Sequence, residues 1–216
     1  MAFWGAWVLA GGVGNVLPYL GSTLGLFGPF YTDGDYWIAN VVGTALVAFP
    51  QYIVLRLLIG HPSLGGAMWI PVSAVAWLAA GLAGGTWAEW IANTLQSAGA
   101  FHASTPGPFS FITVFIGVES ITNAAFLGLA QGLLLARVFV ARSAAWLWFG
   151  ANLLAAVVIF IVTQIEINDV SNQTNQTAVD LLFQTAIPGA LYAAVTGIAL
   201  VALPRRDPKG AAPVAD

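Results

Sequence analysis

The sequence predicts an all-α, polytopic transmembrane bundle of six helices, and three observations carry that prediction. The chain is 59% hydrophobic and only 7% charged, whereas a soluble domain needs roughly 25% charged residues to face water. Six separate stretches are almost free of charge, each near the ~20 residues needed to cross the hydrocarbon core. All six basic residues fall on one side of those stretches and six of the nine acidic ones on the other. Inside a bilayer the backbone has no water to bond, so each span must be a helix.

The spans run over 3–26, 36–59, 67–90, 111–140, 144–165 and 178–203, making residues 1–204 one transmembrane domain. The start, Met1-Ala2-Phe3-Trp4, lacks the cationic opening and cleavage site of a signal peptide, so it reads as a retained first helix. The link 27–35 holds Gly28-Pro29 and Asp33-Gly34, both turn signals. The second span contains Pro50, which removes a backbone donor and kinks a helix, and it closes on Arg56 and His61. The third opens on Trp69, with Pro71 close behind. It leads into a Trp-, Ser- and Gly-rich stretch in which Trp87, Ile91 and Leu95 recur every four residues. These three suit one face of an interfacial helix with Glu89 turned to water, before Pro106-Gly107-Pro108 stops it. The fourth span closes on Arg137, and the fifth opens beside Arg142 with Trp146 and Trp148. A polar loop, 169–177, carrying two glycosylation-type sequons, precedes the sixth. Residues 205–216 read as a disordered tail.

Arg56, Arg137, Arg142, Arg205, Arg206 and Lys209 all lie on one side of this arrangement. Asp33, Asp35, Glu89, Glu166, Asp169 and Asp180 lie on the other. The positive-inside rule then predicts a multi-pass protein of the cell membrane with both termini cytoplasmic. Five spans would break the segregation.

The chain also repeats internally. With Gln51 laid on Gln131, Ala45 falls on Ala125, Ala48 on Gly128 and Leu55 on Leu135. The turns that follow lead to Trp69 and to Trp146 and Trp148. Trp7 opens the first span similarly, and the sixth carries Gly189 to Gly197 with Thr196 in the glutamine place. The simplest description is about three helical hairpins, each a Trp-led outward helix followed by an inward Gly-rich one. The Gly-x-x-Gln-x-x-x-Leu-Arg pattern followed by Trp is carried by Gly128, Gln131, Leu135 and Trp146, and partly by Ala48, Gln51, Leu55, Arg56 and Trp69. It resembles a group of small bacterial multi-pass membrane proteins of uncharacterised function. Six spans with longer outer links also resemble the substrate-binding subunits of energy-coupling-factor vitamin transporters. Those subunits dock through Ala-x-x-x-Ala on the first helix, and the first span here has Ala2, Ala6 and Ala10. The first resemblance implies an architecture, and the second implies transport.

The composition narrows function. Six Lys+Arg against nine Asp+Glu give a net charge of −3, which argues against nucleic acid as a partner. There is no cysteine. His61 and His102 fall on opposite sides of the membrane and cannot share a metal, and no cofactor is expected. No His-Glu-x-x-His, Gly-x-Ser-x-Gly or phosphate loop occurs, so the expectation is not an enzyme.

Small residues four apart let helices approach closely where lipid removes the hydrophobic drive. Gly21/Gly25, Gly81/Gly85, Gly128/Gly132 and Gly189/Ala193/Gly197 are the candidates. Gln51 and Gln131 are read as hydrogen-bonding glue or as lining of a pathway, and the tryptophans, Trp37, Trp69, Trp87, Trp90 and Trp146 among them, as interfacial anchors. Glu119 is the one carboxylate well inside an apolar run. Counted back from Arg137 it lies about 27 Å along the axis, near the outer rim, with Asn123 one turn deeper. It either reaches headgroup water or forms an outer polar pocket with Asn123, Asn40, Glu89 and Gln164. Two functions remain. One is a non-catalytic subunit that binds a partner protein, lipid or apolar ligand within the bilayer, alone, as a homo-oligomer or with other membrane subunits. The alternative is the substrate-binding component of a small-molecule transporter with an outward-facing site.

Overall fold

The computed structural model describes residues 2–23, 33–59, 68–100, 110–139, 142–170 and 178–203. They form six helices: α1 (Ala2–Thr23), α2 (Asp33–Ile59), α3 (Trp69–Ser97), α4 (Phe111–Phe139), α5 (Arg142–Val170) and α6 (Ala178–Ala202). No strand occurs among the described residues. Four stretches, Trp69–Ser97, Thr113–Phe139, Arg142–Thr163 and Thr185–Ala202, are long and apolar enough to cross a membrane, and Val41–Leu57 is a shorter apolar stretch. The links 24–32, 60–67, 101–109 and 171–177 and the tail 204–216 lie outside the described residues. With them lie the two histidines, the sequons, Gly25 and the basic cluster after α6.

Helix ends follow local chemistry. Ser110 caps α4, its Oγ accepting the Thr113 N–H at 3.2 Å, which satisfies one of the donors every helix start leaves over. The helix α3 does not stop near Trp90 but continues to Ser97, so Trp87, Ile91 and Leu95 belong to the span's own helix. Ala88 and Ala92 stay fully buried there, extending the packing stripe past the expected end. The stop is Gly99, at φ 76°. Its N–H bonds the Gln96 carbonyl while Ala100 N–H reaches Leu95, the paired closure that a left-handed residue permits. Pro18, Pro50 and Pro188 lie inside α1, α2 and α6 without ending them.

Each helix packs on its neighbours in sequence, and α6 returns onto α1, so the six form a closed ring. Neighbours are antiparallel. Gly14 meets Val47 while Gly43 meets Pro18, and Gly128 meets Asn152 while Gly132 meets Ala145. A Cβ on Gly132 would lie 2.8 Å from the Ala145 carbonyl oxygen, and one on Gly14 would lie 2.7 Å from that of Val47. These seams therefore exclude side chains, as small-residue packing in lipid requires. On α3 Gly84 is the one turned to the seam, where a Cβ would make ordinary contact with Thr122 at 3.4 Å and Glu119 at 3.8 Å, whereas a Cβ on Gly85 would meet nothing within 4 Å. The buried stripe there is Ala76, Ala80, Gly84, Ala88 and Ala92, one position from the Gly81/Gly85 pair. Leu9, Leu57, Val75, Leu82, Leu154 and Ile198 point outward from the ring and are exposed. An outer face of this kind suits an apolar solvent.

Candidate functional site

Trp7, Trp69 and Trp148 open α1, α3 and α5, and all three are essentially fully buried where the helices converge. Their rings meet edge to face, with centroids 6.2 Å apart for Trp7–Trp69 and 5.8 Å for Trp7–Trp148 and Trp69–Trp148. Edge-to-face contact sets the positive rim of one indole on the negative face of the next, worth about 1 kcal/mol per pair beyond burial. Each indole N–H donates to the antiparallel helix beside it: Trp7 to Thr196 Oγ1 at 3.1 Å, Trp69 to Gln51 Oε1 at 3.4 Å and Trp148 to Gln131 Oε1 at 3.1 Å. One turn further along each acceptor helix, Leu55, Leu135 and Leu200 are buried behind the indoles. This corrects one expectation. Trp69 is no interfacial anchor, because three indoles together can satisfy their N–H groups and fill a ring of small residues that aliphatic side chains would leave loose. Trp87, Trp90 and Trp146 are exposed, as anchors would be, while the Trp37 side chain lies outside the described residues.

Above this floor lies a cavity of about 300 Å³ to which all six helices contribute. Its wall reaches from Trp148 to Ile159 on α5, eleven residues or about 16 Å of helix. It therefore extends away from the ends that carry Arg56, Arg137 and Arg142. Val47, Ala48, Leu127, Pro188 and the rings of Trp77 and Tyr192 make most of the wall, and Asn15, Thr44, Gln51, Ser73, Gln131 and Thr196 supply neutral polar atoms. Among the described residues no Asp, Glu, Lys, Arg or His lines it. A cavity of this composition solvates an apolar body and offers fixed hydrogen bonds, but it gives no counter-charge to an ion.

The polar atoms are largely committed to one another. Gln131 donates through Nε2 to Ser73 Oγ at 2.8 Å while accepting the Trp148 indole, so both ends of its amide are used. Ser73 in turn donates to the Trp69 carbonyl at 2.7 Å. On the next seam Tyr192 donates to Asn152 Oδ1, and Asn152 Nδ2 donates to the Trp148 carbonyl at 2.8 Å. Gln51 and Gln131 are thus bonded to tryptophans and not to each other.

The outer pocket read from sequence is placed elsewhere. Glu119 is half-buried against Gly84 in the α3/α4 seam, and Glu89 is exposed further along α3. Neither lines the cavity, nor does Asn123. The side chains of Asn40 and Gln164 lie outside the described residues. Asn123 Oδ1 is buried with no hydrogen-bond partner among the described residues, a condition that costs roughly 1–3 kcal/mol. Replacing Asn123 by Leu is therefore expected to stabilise the protein by about 1 kcal/mol, read as a raised thermal midpoint of the purified protein. A lowered midpoint would mean that the amide has a partner in solution.

Asn15, Ser73, Trp77, Asn152 and Tyr192 were not singled out from the sequence. A signal for two of them exists: Ser73 and Asn152 each follow a buried tryptophan by four residues, the spacing that puts a polar group one turn above the indole. No protein-family model, curated protein or solved structure matches the chain.

Proposed function

We propose that this protein is a non-catalytic membrane subunit that holds a small, neutral, largely apolar molecule at the centre of a ring of six transmembrane helices. The observation that carries the reading is the central cavity. It is walled by all six helices, floored by three interlocked indoles and, among the described residues, lined by no charged side chain. Its volume of about 300 Å³ is at the small end of the ~300–1,000 Å³ found for small-molecule sites. In this reading the ring is three repeated hairpins, α1–α2, α3–α4 and α5–α6, with both termini cytoplasmic. Support comes from the indole bonds, in which each hairpin gives its Gln51, Gln131 or Thr196 to the tryptophan of the next and the third returns to Trp7.

The test is recovery of the molecule. Purified protein in mild detergent is denatured, and the released small molecules are compared with those from Leu127→Trp, which fills the wall with an indole. A compound present with the wild type and depleted at least about tenfold from the variant is expected, a loss worth about 1.4 kcal/mol of binding. Identical extracts from two equally folded proteins would overturn the reading.

One observation favours the transport alternative: the cavity extends away from the Arg56, Arg137 and Arg142 ends, hence outward under the positive-inside rule. Stoichiometric co-purification of an ATPase module would then make the ring a substrate-capture component. A different stable membrane partner, or a second copy of the chain, would favour the plain binding subunit.

A further inference from the structure

We infer that Gln51 and Asn15 form a carboxamide-recognition subsite within this cavity, selecting a neutral ligand that carries an amide-type carbonyl and N–H on a flat apolar body. The inference rests on the cavity's binding a small molecule, and it names the chemistry of that molecule.

The argument starts from the three equivalent seams. In α3/α4 the Gln131 Nε2 finds Ser73, four residues beyond Trp69. In α5/α6 the Asn152 amide, four residues beyond Trp148, takes Tyr192. In α1/α2 the residue four beyond Trp7 is Gly11, which has no side chain to offer. Gln51 is only 7% exposed and lines the cavity. Its amide makes a single bond, with Oε1 taking the Trp69 indole, so Nε2 has no partner among the described residues. Asn15 shows the converse. Its Nδ2 is tied to the Gly11 carbonyl at 3.0 Å, which turns the amide onto Gly189, where a side chain would collide with it. Asn15 Oδ1 has no hydrogen-bond partner among the described residues, and Asn15 also lines the cavity.

A donor and an acceptor, each held by its other half, are thereby presented on adjacent helices. Gly14 packs on Val47, and from that register Gln51 lies about 7 Å below Asn15 along the axis. A carboxamide covers that offset when it accepts at one end and donates at the other through bonds of ~2.9 Å. Trp77 and Tyr192 supply ring faces for the apolar remainder. A carboxylate or ammonium group would meet no opposite charge, so the subsite discriminates against ions.

Three monosubstituted benzenes test this on the purified wild-type protein: benzamide, N,N-dimethylbenzamide and toluene, with binding read by tryptophan fluorescence. Benzamide is expected to bind about tenfold more tightly than toluene and than the dimethyl amide, which keeps the carbonyl but has lost its N–H. Asn15→Leu and Gln51→Leu are each expected to abolish that preference, so that benzamide binds the variant no more tightly than toluene does. The comparison among probes stands on the wild type even where Gln51→Leu fails to fold, and Asn15→Leu leaves every indole bond in place. Equal binding of the three probes, or a preference unmoved by Asn15→Leu, overturns the subsite and leaves the cavity reading intact. Binding of none of them overturns the cavity reading, and this inference with it.

Discussion

Replacing Gly11 by leucine is expected to prevent the ring from closing. A Cβ at Gly11 would press on the Ala193 Cβ and lie 2.6 Å from the Gly189 carbonyl oxygen, and one at Gly189 would lie 2.6 Å from the Gly11 oxygen. Backbone opposes backbone here, so no side chain can swing aside and the helices themselves must separate. The seam is also unusual in its connectivity. α1 and α6 come from opposite ends of the chain, so no short turn holds them together and their contact alone closes the ring. The cost is about 3 kcal/mol or more, and with the seam go the Trp7–Thr196 bond and one wall of the cavity. Gly5→Leu and Gly150→Leu are the controls, because a Cβ at either site would meet nothing within 4 Å. There the gain in helix propensity, roughly 0.5–1 kcal/mol, should leave stability level or raised. The measurement is the thermal midpoint and monodispersity of each variant in one detergent. A Gly11→Leu protein as stable as Gly150→Leu would overturn the packing account.

The helices are legible because length and apolarity alone mark them: among the described residues a helix falls on each of the six expected spans, and four stretches are long and apolar enough to cross a membrane. Their ends were harder to read. The span 67–90 was expected to stop among Trp87 and Trp90, yet α3 runs to Ser97, since alanine spacing and Gly99 decide the stop and tryptophan does not. Gln51 and Gln131, expected to bond each other or to line a pathway, instead accept the Trp69 and Trp148 indoles, and Thr196 accepts that of Trp7. The donors were missed: composition makes tryptophan an interfacial residue, and only the closed ring shows which three point inward. The candidate site was missed for a related reason. In an apolar run a carboxylate attracts attention and a neutral amide does not, so Glu119 was weighed while Asn15 was passed over. Ring closure cannot be read from periodicity either, because α1 and α6 approach each other across the full length of the chain.

The second large effect is expected at Trp148. Its ring packs against both Trp7 and Trp69, with centroids 5.8 Å away in each case, and its N–H occupies Gln131 Oε1. Trp148→Ala therefore removes two edge-to-face contacts, opens a void in the floor and leaves a buried amide oxygen unpaired. Large-to-small changes of this kind cost about 3–5 kcal/mol, and the orphaned acceptor places this one toward the upper end. Trp146→Ala, two residues away, removes a side chain that is 68% exposed and should shift stability by no more than about 0.5 kcal/mol. Reversible unfolding in mixed micelles would read both variants against the wild type. A double-mutant cycle with Gln131→Leu separates contact from bulk. If the indole–amide bond is made, the double variant is less destabilised than the sum of the singles by about 1–2 kcal/mol, because each single strands the other's polar group. Strict additivity would mean that Gln131 and Trp148 do not bond. Equal effects at Trp146 and Trp148 would return all the tryptophans to the interface and remove the floor on which the cavity stands.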